Sequence, residues 1–128
     1  MIAPLLTRRA FGVVLLAAAT ALPLGAFAQQ AKPAVFIERL GDVPLMPGLS
    51  VVERSGVDFD APGGRIVEVA AAGPVTRAAV LEFYRRSLPP LGWTGRNGVF
   101  VREGEKLRLE LAGAGGRTEV RFFLSPAQ

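Results

Sequence analysis

The feature that most restricts the fold is a series of tight-turn signals in the last third of the chain. Asn97-Gly98, Glu103-Gly104 and Gly115-Gly116 each supply residues that tolerate the positive φ of a two-residue hairpin turn. Short segments of alternating apolar and polar residues lie between and beyond these turns. Segments joined by two-residue turns pair antiparallel. The last third is therefore predicted to be an antiparallel strand meander.

The register of the last hairpin follows from its turn. With Gly115-Gly116 at the tip, Leu109 lies opposite Phe122 and Glu110 lies opposite Arg121, because side chains alternate with a period of two. A shift of two residues would set like charges against each other. The predicted inward-facing set is wholly apolar and consists of Leu107, Leu109, Leu111, Val120, Phe122 and Leu124. The outward set leaves Phe123 beside Arg108, so Phe123 is predicted to be more exposed than Phe122.

The two earlier turns extend this ladder towards the N-terminus. The Glu103-Gly104 turn places Phe100 opposite Leu107, and the Asn97-Gly98 turn places Trp93 opposite Arg102. Trp93 then lies beside Phe100 on the inner side of the sheet. It is predicted to be a core residue and not a platform for a ligand.

Two strands and one helix are predicted before the meander. The first strand runs from Leu49 to Phe59 with an interruption near Gly56, and a turn at Pro62-Gly63-Gly64 leads into a second strand at Arg65–Ala71. The predicted fold class is α+β: an antiparallel sheet with one amphipathic helix packed on one face, in the order ββα followed by the meander.

The helix is predicted to begin at Thr76 or Arg77 and to end near Leu88. Thr76 is a suitable N-cap, and Pro89-Pro90 cannot continue a helix. Glu82 lies four residues before Arg86, in the favourable order for an ion pair on the helix surface. The side facing the sheet is predicted to comprise Val80, Leu81, Phe83, Tyr84 and Leu88, with Phe83 as the docking residue.

Residues 1–28 are predicted to be a cleavable signal peptide. Arg8-Arg9 precede an apolar run at Val14–Leu24, and small residues then lead to cleavage between Ala28 and Gln29. The two arginines resemble a twin-arginine signal, and the general secretory route is the alternative. The mature chain is therefore expected in the periplasm.

Two further expectations concern the start of the mature chain. Residues 29–40 are predicted to be a flexible lead-in, and residues 41–126 a single α+β domain. Because Pro23 and Gly25 interrupt the apolar run of the leader, no stable transmembrane anchor is expected after processing. The apolar segment 35–49 either closes one end of the core or docks on lipid or a hydrophobic partner.

Composition removes several classes of function. The chain has no cysteine and no histidine, the usual ligands of zinc, iron–sulfur, haem and copper sites, so no metal or cofactor is expected. Nucleophiles that depend on a histidine base are excluded as well. Without Arg8 and Arg9, the charge falls from +4 to +2, with 13 basic and 11 acidic residues of alternating sign. No basic stripe suited to nucleic acid is present, so no nucleic-acid partner is expected.

Several short motifs resemble those of other proteins. They resemble motifs found in a group of small exported bacterial proteins of unknown function. The motifs are Asp42–Gly48, Phe83-Tyr84, Leu88-Pro89 and Leu91-Gly92-Trp93. The resemblance spans residues 42–126. It implies export and this fold, and it implies no activity and no site residues.

Three kinds of function remain open. The first is a binding or interaction module that uses the uncovered face of the sheet, where Arg108, Arg121 and Phe123 are the candidate contacts for a protein or envelope partner. The second is a small hydrolase built on carboxylates; its candidates are Glu53, Asp58, Asp60 and Glu68. The third is a peripheral envelope or lipid-associated protein that acts through residues 35–49. No catalytic residue is assigned, and the oligomeric state is left open.

Overall fold

A computed structural model of the chain describes Gly12 and residues 34–127. The predicted signal peptide, with its cleavage between Ala28 and Gln29, therefore lies outside the described residues apart from Gly12. The strands are β1 (Ser50–Val51), β2 (Asp58–Ala61), β3 (Gly64–Gly73), β4 (Thr94–Arg96), β5 (Val99–Arg102), β6 (Glu105–Ala112) and β7 (Thr118–Pro126). The helix α1 spans Arg77–Ser87, and short 3-10 turns occur at Glu38–Leu40 and Pro89–Leu91.

The predicted α+β class is confirmed. All seven strands form one antiparallel sheet in the order β1-β3-β7-β6-β5-β4, and β2 also pairs with β3. The helix α1 covers one side of this sheet, and buried residues of the helix and of the strands form one hydrophobic core. The predicted ββα order is roughly matched, because the first predicted strand is divided into β1 and β2.

The register predicted for the meander is confirmed throughout. Leu109 pairs with Phe122, and Phe100 pairs with Leu107. At the last turn, Gly115 and Gly116 have φ values of 66° and 79°, which are the positive angles that the tip requires. The turn residues thus fixed which side chains face the core.

The break between β1 and β2 has a steric cause at Gly56. This residue has a φ of 89°, and a Cβ atom there would lie 1.6 Å from the carbonyl oxygen of Glu68. Only glycine allows the chain to pass so close to β3. The predicted strand from Leu49 to Phe59 is consequently reduced to two short segments on either side of this contact.

The helix bounds are confirmed, and the predicted docking residue, Phe83, packs against the core but is only partly buried. Thr76 caps α1 by accepting a hydrogen bond from the backbone N–H of Ala79 at 3.1 Å. The ring that enters the core is Tyr84, which is 1% exposed, whereas Phe83 is half-buried and Leu81 is 42% exposed. The apolar side of α1 is wider than the strip that touches the sheet, so its edge residues stay partly open.

The predicted lead-in at 29–40 extends too far along the chain. Ile37 and Leu40 are buried in the core, and Phe36 forms a bridge with Pro44. The packed body therefore begins before residue 41. Segment 35–49 mainly closes one end of the core, because its apolar residues Val43 and Leu49 are buried too.

Candidate functional site

The side of the sheet away from α1 is uncovered, and we call it the open face. One row of ladder partners crosses it and contains Arg96, Val99, Arg108, Phe123 and Glu68. Directly opposed residues share a side of a sheet, so the pairing itself places these side chains together. A second row contains Thr94, Val101, Lys106 and Ser125, and Phe59 and Ile66 form a pair on the same side.

Phe122 and Phe123 show the difference between the two sides of β7. Phe122 is 0% exposed and meets the ring of Tyr84 edge-on, with centroids 5.4 Å apart. Phe123 is half-buried on the open face, so the predicted difference in exposure is confirmed. The guanidinium of Arg108 lies 4.8 Å from the centroid of the Phe123 ring, a cation–π contact that the register predicted.

The two candidate arginines of the open face already have acidic neighbours. Arg108 lies 3.2 Å from Glu110, and Arg121 lies 3.2 Å from Glu119 and 3.5 Å from Glu68. These are exposed ion pairs, which contribute little to stability and exchange readily for other partners. Arg108, Arg121 and Phe123 are thus brought onto one surface, with both arginines held in ion pairs.

Exposed apolar side chains are concentrated on this face. Phe59 is 49% exposed, Val101 is 41% exposed, and Val57 and Val99 are exposed to a similar degree. Val57 reaches the face because it exchanges two backbone hydrogen bonds with Glu68 of β3. Val57 and Phe59 were not predicted to share this face with Val99 and Val101, because their position relative to β5 depends on the pairing of β3 with β7.

A broad, shallow cavity of about 600 Å³ lies at one end of the open face. Its walls include Ile66 of β3, Val101 of β5 and Pro126 of β7, which are apolar. Lys106 and Ser125 supply the polar side chains of the lining. We call this feature the Lys106 pocket.

At the rim of the sheet, Arg102 of β5 connects the sheet to Asp42 and to Leu91. Its guanidinium donates hydrogen bonds to the carboxylate of Asp42, one of them at 3.1 Å, and to the carbonyl of Leu91 at 3.0 Å. It also stacks over Trp93, 4.3 Å from the ring centroid. The hydrogen bond from Arg102 holds the pKa of Asp42 below its ordinary value.

Tyr84 joins the helix to residues 42–48, which we call the Pro-Gly segment. Its hydroxyl donates to the carbonyl of Pro44 at 2.8 Å and accepts from the backbone N–H of Met46 at 3.3 Å. Burial raises the pKa of this phenol well above its ordinary value, so the group stays neutral. Asp42, Tyr84 and Trp93, which carry the resemblance noted in the sequence, thus have contacts that hold the fold together.

The carboxylates considered for a hydrolase do not all share one face, although Asp58 and Asp60 lie two residues apart on the same side of β2. Asp58 pairs with Val67, which faces the core, whereas Glu68 lies on the open face. Glu53 lies in the turn that follows β1. Within residues 34–127, no three acidic, histidine or cysteine side chains are grouped closely enough to hold a metal ion.

Comparisons with protein-family models, curated proteins and solved structures gave no match to this chain. In the part of the chain that the structure describes, no helix has the length and apolar character needed to cross a membrane.

Proposed function

We propose that this chain is exported to the periplasm and acts there as an interaction module whose protein partner binds the open face. The observation that carries the proposal is the exposure of Val57, Phe59, Val99 and Val101 on one side of one sheet. Isolated exposed apolar residues are common on protein surfaces, but two pairs of them on one face, with Phe123 and Ile66 lying between the pairs, favour a binding surface.

The size of the open face favours a protein partner. Six strands lie side by side in the main order of the sheet, which gives a width of about 25 Å at a spacing of about 4.8 Å. A surface of this width is broader than a small ligand covers, whereas a specific protein complex buries roughly 800 Å² on each partner. Apolar and aromatic residues among arginines, as at Phe123 and Arg108, also match the composition of protein interfaces.

Export is tested by the chain's own N-terminus. The protein recovered from the periplasm should begin at Gln29, as determined by N-terminal sequencing. Replacement of Arg8 and Arg9 together by lysine should abolish export if the twin-arginine route is used. An intact N-terminus on the exported protein would contradict the cleavage.

The interaction is tested by a photoreactive amino acid at Val99, with the same residue at Arg86 on the outer side of α1 as the matched control. We expect one discrete adduct from Val99 and none from Arg86. The cross-linked protein, once identified and purified, should bind the wild-type chain directly and lose about tenfold in affinity to Val101→Asp. Equal adducts from both positions, or unchanged affinity of Val101→Asp, would refute the use of this face.

A peripheral envelope role is a second candidate, and one observation favours it. Val35 and Phe36 are 62% and 45% exposed at the edge of the Pro-Gly segment. Two such side chains can insert into a lipid surface. Sedimentation with lipid vesicles should then be lost in Phe36→Ser and retained in Val99→Ser.

A further inference from the structure

Within the described residues, the Lys106 pocket contains a cation without an acidic partner, unlike Arg108 and Arg121 of the same face. Arg108 and Arg121 each lie within 3.5 Å of a carboxylate. Lys106 takes part in no ion pair among residues 34–127, and it is the one charged side chain of the pocket lining. An incoming anion can therefore pair with Lys106 without displacing an internal partner.

Along its row, Lys106 has an apolar neighbour on one side and a serine on the other. Val101 is its ladder partner on β5, and Ser125 is its partner on β7. Ile66 and Pro126 continue the wall beyond Ser125. Ser125 adds a hydroxyl donor to the same lining, beside the apolar side chains of Val101 and Ile66. A ligand that carries one negative charge between apolar groups would therefore complement Lys106 and the apolar residues around it.

We infer that the Lys106 pocket receives a segment of the protein partner in which one acidic side chain is flanked by bulky apolar ones. The carboxylate pairs with Lys106, and the apolar side chains cover Val101 and Ile66. The inference rests on the proposed function, since it names the chemistry of the partner at the same face. An extended strand suits the site, because alternate side chains of a strand point the same way, with about 6.6 Å between them.

The probe is a capped pentapeptide with leucine, glutamate and leucine at its first, third and fifth positions and alanine between them, so that all three side chains point the same way in an extended strand. It is titrated into the isotope-labelled protein and followed by NMR. The largest shifts should come from Lys106, Val101 and Ser125. Replacement of the glutamate by glutamine should weaken binding about fivefold, which corresponds to an exposed ion pair of about 1 kcal/mol. Binding should also weaken with added salt.

Variants of the protein supply the matched controls. Lys106→Ala should lose the same factor of about five for the acidic peptide and show no change for the glutamine peptide. Lys106→Arg should retain the preference for the acidic peptide. Arg96→Ala removes a cation from the same face outside the pocket lining, and it should leave both affinities unchanged. This pattern separates a specific pair from the general charge of the face.

Three outcomes would overturn the inference. One is no shift around Lys106, another is equal binding of both peptides, and the third is binding of anionic lipid vesicles that depends on Lys106 without any binding of the peptide. In each case the proposed function is judged separately by the adduct from Val99. An adduct that persists in Lys106→Ala with unchanged affinity would leave the interaction at the open face intact and remove only the chemistry assigned to the pocket.

Discussion

The two sides of the sheet are built from alternate residues of the same strands and have opposite properties. On the covered side, Phe122 and Leu124 are closed off by α1 and segment 35–49. On the open face, Phe123 and Val101 lie among charged side chains and reach solvent. The same backbone ladder supports both sides. The core is therefore built from one side of this sheet, and the other side remains open to solvent.

The largest expected effect tests this contrast at two neighbouring phenylalanines. Phe122→Ala should cost about 3–5 kcal/mol in the free energy of unfolding, because it empties a fully buried site. Phe123→Ala should cost about 1 kcal/mol, since the ring is half-buried and loses mainly its contact with Arg108. Denaturant titration of both variants measures the difference. Similar losses at the two positions would show that the open face supports the fold as much as the covered side does.

A smaller effect is expected where the helix meets the Pro-Gly segment. Tyr84→Phe keeps the ring and removes the hydroxyl that bonds to Pro44 and Met46. The carbonyl of Pro44 is then left without this donor in a buried place, at a cost of about 1–3 kcal/mol by thermal or chemical unfolding. Phe83→Leu, next to it, is the control for a change on the open edge of the helix and should cost less. A neutral Tyr84→Phe would mean that ring packing alone holds the segment.

The smallest effect is expected at the rim, from the pair of Asp42 and Arg102. The pKa of Asp42 is lowered in the folded state by the hydrogen bond from Arg102, relative to about 3.9 in the unfolded chain. Its contribution is therefore present above pH 4 and is lost as the pH falls through the folded-state pKa. Because the Asp42 side chain is 47% exposed, Asp42→Asn should cost no more than about 1 kcal/mol at pH 7.

The pH dependence provides the control for this pair. The difference in unfolding free energy between wild type and Asp42→Asn should shrink steadily as the pH is lowered below 4. Glu82→Gln removes a carboxylate that, among the described residues, pairs only with Arg85 and Arg86 of the same helix, and it should change stability less. A loss in Asp42→Asn that stays constant from pH 7 to pH 2 would mean that the carboxylate acts without its charge.

Local signals were sufficient for the meander and for the helix bounds. Each two-residue turn, such as Gly115-Gly116, sets the pairing of the strands that it joins, because the side-chain period is two. The cap at Thr76 and the prolines after Leu88 act within one helical turn. The predicted identity of Phe122 as inward and Phe123 as outward followed from such signals alone.

Signals of this kind fail where contacts join distant parts of the chain. Phe83 and Tyr84 share the apolar side of α1, and only the partners of the Tyr84 hydroxyl, on the Pro-Gly segment, decide which ring is buried. Ile37 precedes every predicted element, and its burial depends on an end of the core that forms when the whole sheet is assembled. Neither the hydrogen bonds of Tyr84 nor the burial of Ile37 can be predicted from the neighbouring residues in the sequence.

The sequence by itself determined the α+β class, the ladder of the meander and the side of β7 that faces inward, because turn geometry and strand period act between neighbours. Only the tertiary structure decided that β3 pairs with β7, with Val69 opposite Phe122. That pairing brings Phe59 and Ile66 onto the same face as Val101 and Lys106, and so creates the Lys106 pocket. The physical reason is that long-range strand pairing gains its free energy from burial of the whole core, and no single turn encodes it.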